Sequence, residues 1–387
     1  MSIVLLMFMT PISFAAVANT NTDATASGGG SAVADSSSEA SNEGTASADS
    51  HALGTNGGDA EAISVSIAAD GGNADATTYA TAKQDGTATS VAVSVAVGSG
   101  ADATSEADTN AMGEGSEANA GSVSIAIGKN AQANSGAEAD ANCHDDCQAN
   151  AAAEAMAIGK NSDADAHADA IARDEDSYAG AGATAWAIGE GTNADANAGS
   201  KAINGGSAES SSWAWAYDEY GTADSATTAY ANGDNAIAIS IARTCAGEDS
   251  LARASMNTEA IAAHSSGSIA YGDITAHADP SGAETHADTY QIAMTDSAKA
   301  VATSSIDASS FTSAGGKPAA GIVIEEADVI ATGHDSVAGQ TIDADASTNH
   351  HALDEVNIDI QSFVVGVGNA AASVYAWAQH LYAMKGP

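Results

Sequence analysis

The feature that most constrains this chain is an alternation of period two laid over a recurrence of about fifteen residues. Four runs share one pattern: Ser94-Val95-Ala96-Val97-Gly98, Ser124-Ile125-Ala126-Ile127-Gly128, Ala155-Met156-Ala157-Ile158-Gly159 and Ala185-Trp186-Ala187-Ile188-Gly189. Their glycines stand 30, 31 and 30 residues apart. Weaker copies fall about halfway, at Ala111-Met112-Gly113 and Ala172-Arg173-Asp174, with Ala82-Lys83 before them and Ala202-Ile203-Asn204 after. Within a unit the alternation is strict: from Val123 the odd positions begin Val, Ile, Ile, Lys, Ala, Ala, and the even ones Ser, Ala, Gly, Asn, Gln, Asn. Alternation of this kind sends successive side chains to opposite faces of a β-strand. A helix would scatter the Asp and Asn residues round all its faces and would carry a glycine in every unit.

A short unit repeated many times cannot bury a core alone and must stack on its neighbours. The expectation is therefore an all-β parallel β-solenoid, or β-roll. Its coils are expected to hold about fifteen residues, with two short strands and two tight turns, and to stack about 4.8 Å apart. The core is expected to be a narrow column with Ile and Val on one side and Ala on the other.

Composition supports a thin core. Among 387 residues there are 24 Ile, 18 Val, 6 Leu and 4 Phe, or 52 in all. That is below the roughly one in five under which a highly charged chain defaults to disorder. Two readings fit that shortage, a disordered acidic chain or a repetitive structure cored by alanine, and the alternation favours the second. With 10 basic and 51 acidic residues the formal charge is −41, which argues against nucleic acid as a partner. Carboxylates stacked one coil apart repel by about 1 kcal/mol per pair even in bulk water, so salt, Ca²⁺ or other cations are expected to relieve the outer face. No organic cofactor is expected.

Five segments can be drawn. Residues 1–18 read as a signal peptide, with the apolar run Ile3 to Met9 and the small-residue site Ala16-Val17-Ala18, although no Lys or Arg precedes the run. Residues 19–52 are rich in Gly, Ser, Ala and Asp and are expected to be flexible or loosely coiled. Residues 53–272 carry the repeats, 273–350 an irregular β-rich region, and 351–387 a terminal strand, cap or assembly segment. Asn369, Gln379 and His380 interrupt the apolar stretch near the C-terminus, so no integral membrane segment is expected.

The runs Ser124 to Ala133, Ala155 to Ala164 and Ala185 to Ala194 resemble the head repeat of trimeric autotransporter adhesins, a likeness extending over roughly residues 53 to 245. The resemblance implies a left-handed parallel β-roll, association of three chains, and binding to host matrix or other cells. Val356 to Gln361, followed by Gly366 to Ala370 and Gln379, resembles a single repeat of curlin, the subunit of bacterial amyloid fibres. Both likenesses imply an extracellular β-structure that stacks.

Candidate chemistry is sparse. Cys143-His144-Asp145-Asp146-Cys147 offers two thiols and a His to a soft metal, but in a secreted chain a disulfide between Cys143 and Cys147 is the simpler reading. Cys245 is then left over. The pairs His167 and Asp169, His277 and Asp279, and His286 and Asp288 each place two metal donors on one strand face, against the plainer reading of a solvated outer face. The Gly-x-Gly runs at Gly98, Gly113 and Gly189 lead into Ala/Asp alternation and not into a helix, so they lack the context of a dinucleotide site. No catalytic constellation is evident, and an enzyme is not expected. The sequence reads as a secreted structural or adhesive protein working by multivalent contact and self-association, as a trimer or filament, with a cell-surface or matrix ligand. A trimeric adhesin head fragment, an ice- or crystal-binding solenoid and a disordered acidic cation binder are the alternatives.

Overall fold

The computed structural model describes residues 17–41, 44–175, 177–204, 206–217, 220–232, 236–247, 251–262, 267–278, 284–295, 301–313, 320–332, 336–349, 353–365 and 368–381. Side chains are described as far as Met294, except at 144–145, 174–175, 262, 267, 276–278, 284–286, 288 and 293.

These residues form strands joined by short corners. The first eight are β1 (Val17–Ser27), β2 (Ala32–Ala40), β3 (Thr45–Thr55), β4 (Ala60–Ala68), β5 (Asn73–Lys83), β6 (Thr87–Val97), β7 (Asp102–Met112) and β8 (Glu117–Ile127). Next come β9 (Gln132–Asp145), β10 (Gln148–Ile158), β11 (Asp163–Glu175), β12 (Ser177–Ile188), β13 (Asn193–Ile203), β14 (Gly206–Tyr217), β15 (Thr222–Asn232) and β16 (Ile237–Ala246). The last are β17 (Leu251–Ala262), β18 (Gly267–Ala278), β19 (Glu284–Thr295), β20 (Val301–Ser313), β21 (Ala320–Thr332), β22 (Ser336–Asn349), β23 (Leu353–Val365) and β24 (Gly368–Leu381). Odd strands make one 12-stranded sheet and even strands the other, each strand pairing in parallel with the next of its own parity. The chain is a parallel β-solenoid.

Its coil holds about 30 residues, not fifteen. Glu117 pairs with Gln148, and Gln148 with Tyr178, steps of 31 and 30. The fifteen-residue unit is half a coil: one strand of about eleven residues and one corner. The alternation runs unbroken through each strand, so there is no turn inside the unit. The strong glycine signals mark the corners that follow even strands, and the weaker ones those that follow odd strands.

The core also differs from expectation. Inward positions carry alanine almost throughout, with Ser and Thr between, while among the residues whose side chains are described Ile and Val point outward, the buried Ile274 excepted. In β8 the buried residues are Ala118, Ala120, Ser122, Ser124 and Ala126, and Val123, Ile125 and Ile127 lie on the outer face. Two sheets lined mostly with methyl groups pack closely, and the larger inward residues, Met256, Ile274 and Gln291, come late in the stack, where the coil is longer. Several inward hydroxyls find partners in that narrow space. Ser64 donates to the Thr77 carbonyl of the facing sheet at 2.7 Å, and the Ser105 hydroxyl lies 2.7 Å from those of Ser122 and Ser124. Serine is thus tolerated in the core where its hydroxyl bonds across or along the stack, although others, Ser90, Ser212 and Thr258 among them, are buried without a hydrogen-bond partner.

The corner glycines explain the recurrence. Gly98, Gly128, Gly159 and Gly189 all have φ between +129° and +150°. They stack so tightly that a Cβ on Gly159 would lie 2.0 Å from the Gly128 carbonyl oxygen. Only glycine combines that backbone with that approach. The ladder continues through the corner, Gly128 N–H donating to the Ile158 carbonyl and Gly159 N–H to that of Ile188, both at 2.8 Å.

Residues 19–52, expected to be flexible or loosely coiled, lie within β1 to β3 of the same stack. The described residues of the regions 273–350 and 351–387 likewise continue as paired strands up to β24. Their period fades in the sequence because the coil lengthens: the step is 28 residues from Val17 to Thr45 and 36 from Glu284 to Ala320. Residues 1–16, most of the expected signal peptide, lie outside the described residues, and Val17 and Ala18 open β1.

Candidate functional site

With the interior filled by small side chains, whatever the molecule recognises must meet its two outer faces. Register fixes what each presents. On the odd sheet, Asp75, Thr104, Asn134, Asp165, Asp195 and Asp224 form one column along the stack, and Asp108, Glu138 and Asp169 belong to another. Partial burial lifts the carboxyls of Asp75, Asp165, Asp195 and Asp224 above their ordinary range, with carboxylates on neighbouring coils adding to it for Asp75 and Asp195. Asp108 is pushed up to about 6, first by burial and then by Glu106 and Glu138. A few cations relieve the crowding: Arg173 makes two contacts to the Asp140 carboxylate, at 2.6 and 2.7 Å.

His167 and Asp169 sit on this face, Nε2 to Oδ2 at 3.0 Å, and that hydrogen bond raises the imidazole pKa. They border a shallow depression of about 460 Å³ created by the small outward residues Gly199 and Ala226, with Lys201 packed over Tyr230 on its far side. The pair has no third donor, and among the described residues no three His, Cys, Asp or Glu groups come together as a metal site.

Cys143 and Cys147 form a disulfide with a Cα separation of 5.8 Å. Both are buried at the corner between β9 and β10, Cys147 standing level with the buried Ser116 and Ser177 of the adjacent coils. The extra residue of the 31-residue step is taken up by the lengthened β9 and by a bulge between Arg173 and Glu175 where β11 pairs with it. The side chains of His144, His277, His286 and Asp288 lie outside the described residues, as does Asp279 altogether. Cys245 occupies an outward position of β16, in register with Trp215 and His277.

The even sheet presents the opposite surface. One column reads Ile67, Val95, Ile125, Met156, Trp186 and Trp215, and beside it runs Val97, Ile127, Ile158, Ile188 and Tyr217. A third reads Val65, Val93 and Val123, then Glu154, Thr184 and Trp213. Val97, Ile127, Ile188 and Tyr217 are each 37–41% exposed, high for large apolar residues in regular strands. The aromatic end is stacked: the Trp186 and Trp215 ring centroids are 4.4 Å apart, Tyr217 meets the Trp215 edge at 5.8 Å, and Arg243 lies 5.4 Å over Trp213. At the start of the same strands is a shallow trough of about 340 Å³, lined by Asn119, Asn150, Ala152, Tyr178, Gly182 and Glu209 among others.

Sequence reasoning missed this face because it placed Ile and Val inside. A partial signal was present: bulky apolar residues recur in every second fifteen-residue unit, at 95, 125, 156, 186 and 215, while the same places in the units between read Asn110, Asp140, Ile171, Lys201 and Tyr230. A core column would recur in every unit. No protein-family model, curated protein or solved structure matches the chain. Among the described residues no helix is long and apolar enough to cross a membrane.

Proposed function

We propose that this protein is a secreted structural or adhesive solenoid that associates with further copies of itself through the apolar columns of its even sheet. The observation that carries the reading is the bias of the two faces: Asp and Glu concentrate on the odd sheet, where Tyr79, Met112, Ile203 and Tyr230 are among the apolar exceptions, and Val, Ile and Trp on the even. From β4 to β14 the apolar columns cover six strands at about 4.8 Å each and three side-chain rows, a footprint of roughly 600 Å². That is the upper end for an unpartnered patch on a monomer, and close to the roughly 800 Å² per partner of a stable interface once the flanking residues join it. Another copy is the natural occupant: its own even face is equally apolar, whereas its acidic face is repelled. The Cys143–Cys147 disulfide fits an oxidising compartment. The likeness to trimeric adhesin heads fits an arrangement of three even faces about one axis.

Sedimentation of the full chain tests this. The wild type is expected to sediment as an oligomer at micromolar concentration, and the Val93→Asp, Ile125→Asp variant as a monomer with an unchanged circular dichroism spectrum. Asn134→Asp, on the odd face, is expected to leave the oligomer intact. A monomeric wild type, or an oligomer indifferent to the double substitution, would defeat the reading.

A further inference from the structure

The first coil of the stack leaves two strand edges open. β1 and β2 each end their sheet, and among the described residues they pair only with β3 and β4. In a parallel ladder alternate residues turn both backbone groups to one neighbour, and the rest turn theirs the other way. Ala32 N–H donates to the Asp59 carbonyl and the Ala40 carbonyl accepts from Ala69 N–H, so the inward residues of β2 serve β4. Gly28 N–H, donating to the Thr55 carbonyl, sets the same parity for β1. The unmade bonds therefore belong to the outward residues, such as Asn19, Asn21, Asp23 and Thr25 on β1 and Asp35 and Ser37 on β2. Open edges are commonly blunted by Lys or Pro, and neither strand holds either.

The two edges share one axis. Thr22 is the middle residue of β1 and Ser36 the middle residue of β2. They face each other across the core: Thr22 Oγ1 donates to the Asp35 carbonyl at 2.8 Å, and Ser50, level with Thr22, donates to the Ser36 hydroxyl at 3.0 Å. A twofold axis through Thr22 and Ser36, perpendicular to the sheets, thus reverses both strands onto themselves. We infer that the first coil is a docking edge for the first coil of a second copy, β1 lying antiparallel on β1 and β2 on β2. Inward residues then meet inward ones, and the outward residues exchange the backbone bonds that were unmade. Asn21 stands opposite Asp23, Asn19 opposite Thr25, Asp35 opposite Ser37 and Glu39 opposite Val33, so no carboxylate directly faces another. Rotation preserves handedness, so the sheet twist runs on through the junction. Head-to-tail stacking fits less well: the last strands, β23 and β24, have 13 and 14 residues against 11 and 9 in β1 and β2. The axis keeps both even sheets on one side of the joined pair, so this contact is separate from association through the even face and leaves that face free. The coil section, about 36 Å by 10 Å, is small for an interface, so the dissociation constant is expected at roughly 100 µM.

The test uses the full chain carrying Val93→Asp and Ile125→Asp, which removes the even-face contact and keeps the two readings separable. Sedimentation in physiological salt is expected to show a monomer at micromolar concentration and a dimer, with no larger species, as the concentration rises towards the millimolar range. Adding Asn21→Pro removes an N–H that points at the open edge, where proline is tolerated in a strand. It is expected to weaken the dimer at least tenfold while the circular dichroism spectrum and melting temperature stay unchanged. Cysteine cross-linking in a Cys245→Ala background reads the axis itself. Thr22→Cys sets residue 22 opposite its own copy at about 4.5 Å between Cα atoms and is expected to oxidise to a covalent dimer, whereas the two copies of Asp23→Cys stand about 9 Å apart and are expected not to. An edge covered by residues 1–16 would leave the chain monomeric at every concentration, and head-to-tail stacking would give a ladder of species beyond the dimer. Either result, an undiminished dimer in Asn21→Pro, or cross-linking through position 23 in preference to 22 would overturn the inference.

Discussion

Substituting Gly159 by alanine tests the stacking of the coils most directly. The new methyl group faces two penalties that can be worked from the structure. Gly159 has φ of +143°, a conformation that costs an L-residue roughly 1–3 kcal/mol. Its Cβ would also stand 2.0 Å from the Gly128 carbonyl oxygen, where ordinary contact begins near 3.4 Å, so the corner must open by more than an ångström. Opening it stretches the bonds from Gly128 N–H to Ile158 and from Gly159 N–H to Ile188, each worth about 1 kcal/mol. The expected loss is roughly 4 kcal/mol, concentrated in the adjoining coils because each coil of a solenoid touches only its neighbours. The control is Gly182→Ala, where the built Cβ meets only an ordinary contact at 3.6 Å and a strand gains by about 0.5 kcal/mol from losing a glycine. Urea denaturation followed by circular dichroism gives the totals, and hydrogen exchange of the amides at 128, 159 and 189 gives the location. Should Gly159→Ala and Gly182→Ala fall within about 1 kcal/mol of each other, the stacked glycine column is wrong.

Three further outcomes follow from the core and the acidic face. Ala126→Leu is expected to destabilise by roughly 1–3 kcal/mol or more by overpacking the narrow interior, while Ile125→Thr on the same strand changes monomer stability by less than about 1 kcal/mol; the reverse order in denaturant titrations would restore the Ile/Val core. Asp108 has a folded pKa near 6 against an ordinary 3.8, so in that window the folded state holds the extra proton and stability falls as pH rises. His167, raised by Asp169, contributes stability that is complete below its ordinary 6.5 and lost as pH rises through its folded value, so it acts in the same direction. Acidification from pH 7 to pH 5 is expected to raise the melting temperature, Asp108 supplying about 1 kcal/mol after allowance for its half-exposure; Asp108→Asn removes that part, and a melting point that drops on acidification contradicts it. Replacing Cys143 and Cys147 together by alanine matches the residues already lining that core and is expected to cost at most about 2 kcal/mol, given the short loop closed; loss of the folded state in calorimetry would give the disulfide a larger role.

The β-solenoid was legible because two periodicities, two and fifteen, survive in the sequence without any knowledge of contacts. The orientation of the strands was not. Alternation shows that Ile125 and Ala126 face opposite ways but does not say which faces in, and the usual rule that the larger apolar residue is buried gives the wrong answer here. What decides it is the distance between the sheets, a property of the whole stack that no single strand records. The same omission hid the apolar face and the trough, since Gly180 and Gly182 look like ordinary repeat glycines until they are placed outside. Coil length was missed for a related reason: Gly113 and Gly128 mark different corners, and only pairing distinguishes them. The His167–Asp169 pair was read correctly as sharing a face, because residues two apart on a strand must.

The sidedness of the solenoid also limits how far it can grow. When even faces meet, in a pair or round a threefold axis, the sheet faces still open to water are the odd ones. Such an assembly has used its adhesive side and turned outward columns such as Asp165, Asp195 and Asp224. A further copy approaching from the side meets a like-charged wall, so lateral association halts of its own accord in plain buffer. Growth into layers then requires something that bridges carboxylates, which places the thickness of any deposit under the control of the surrounding divalent ions.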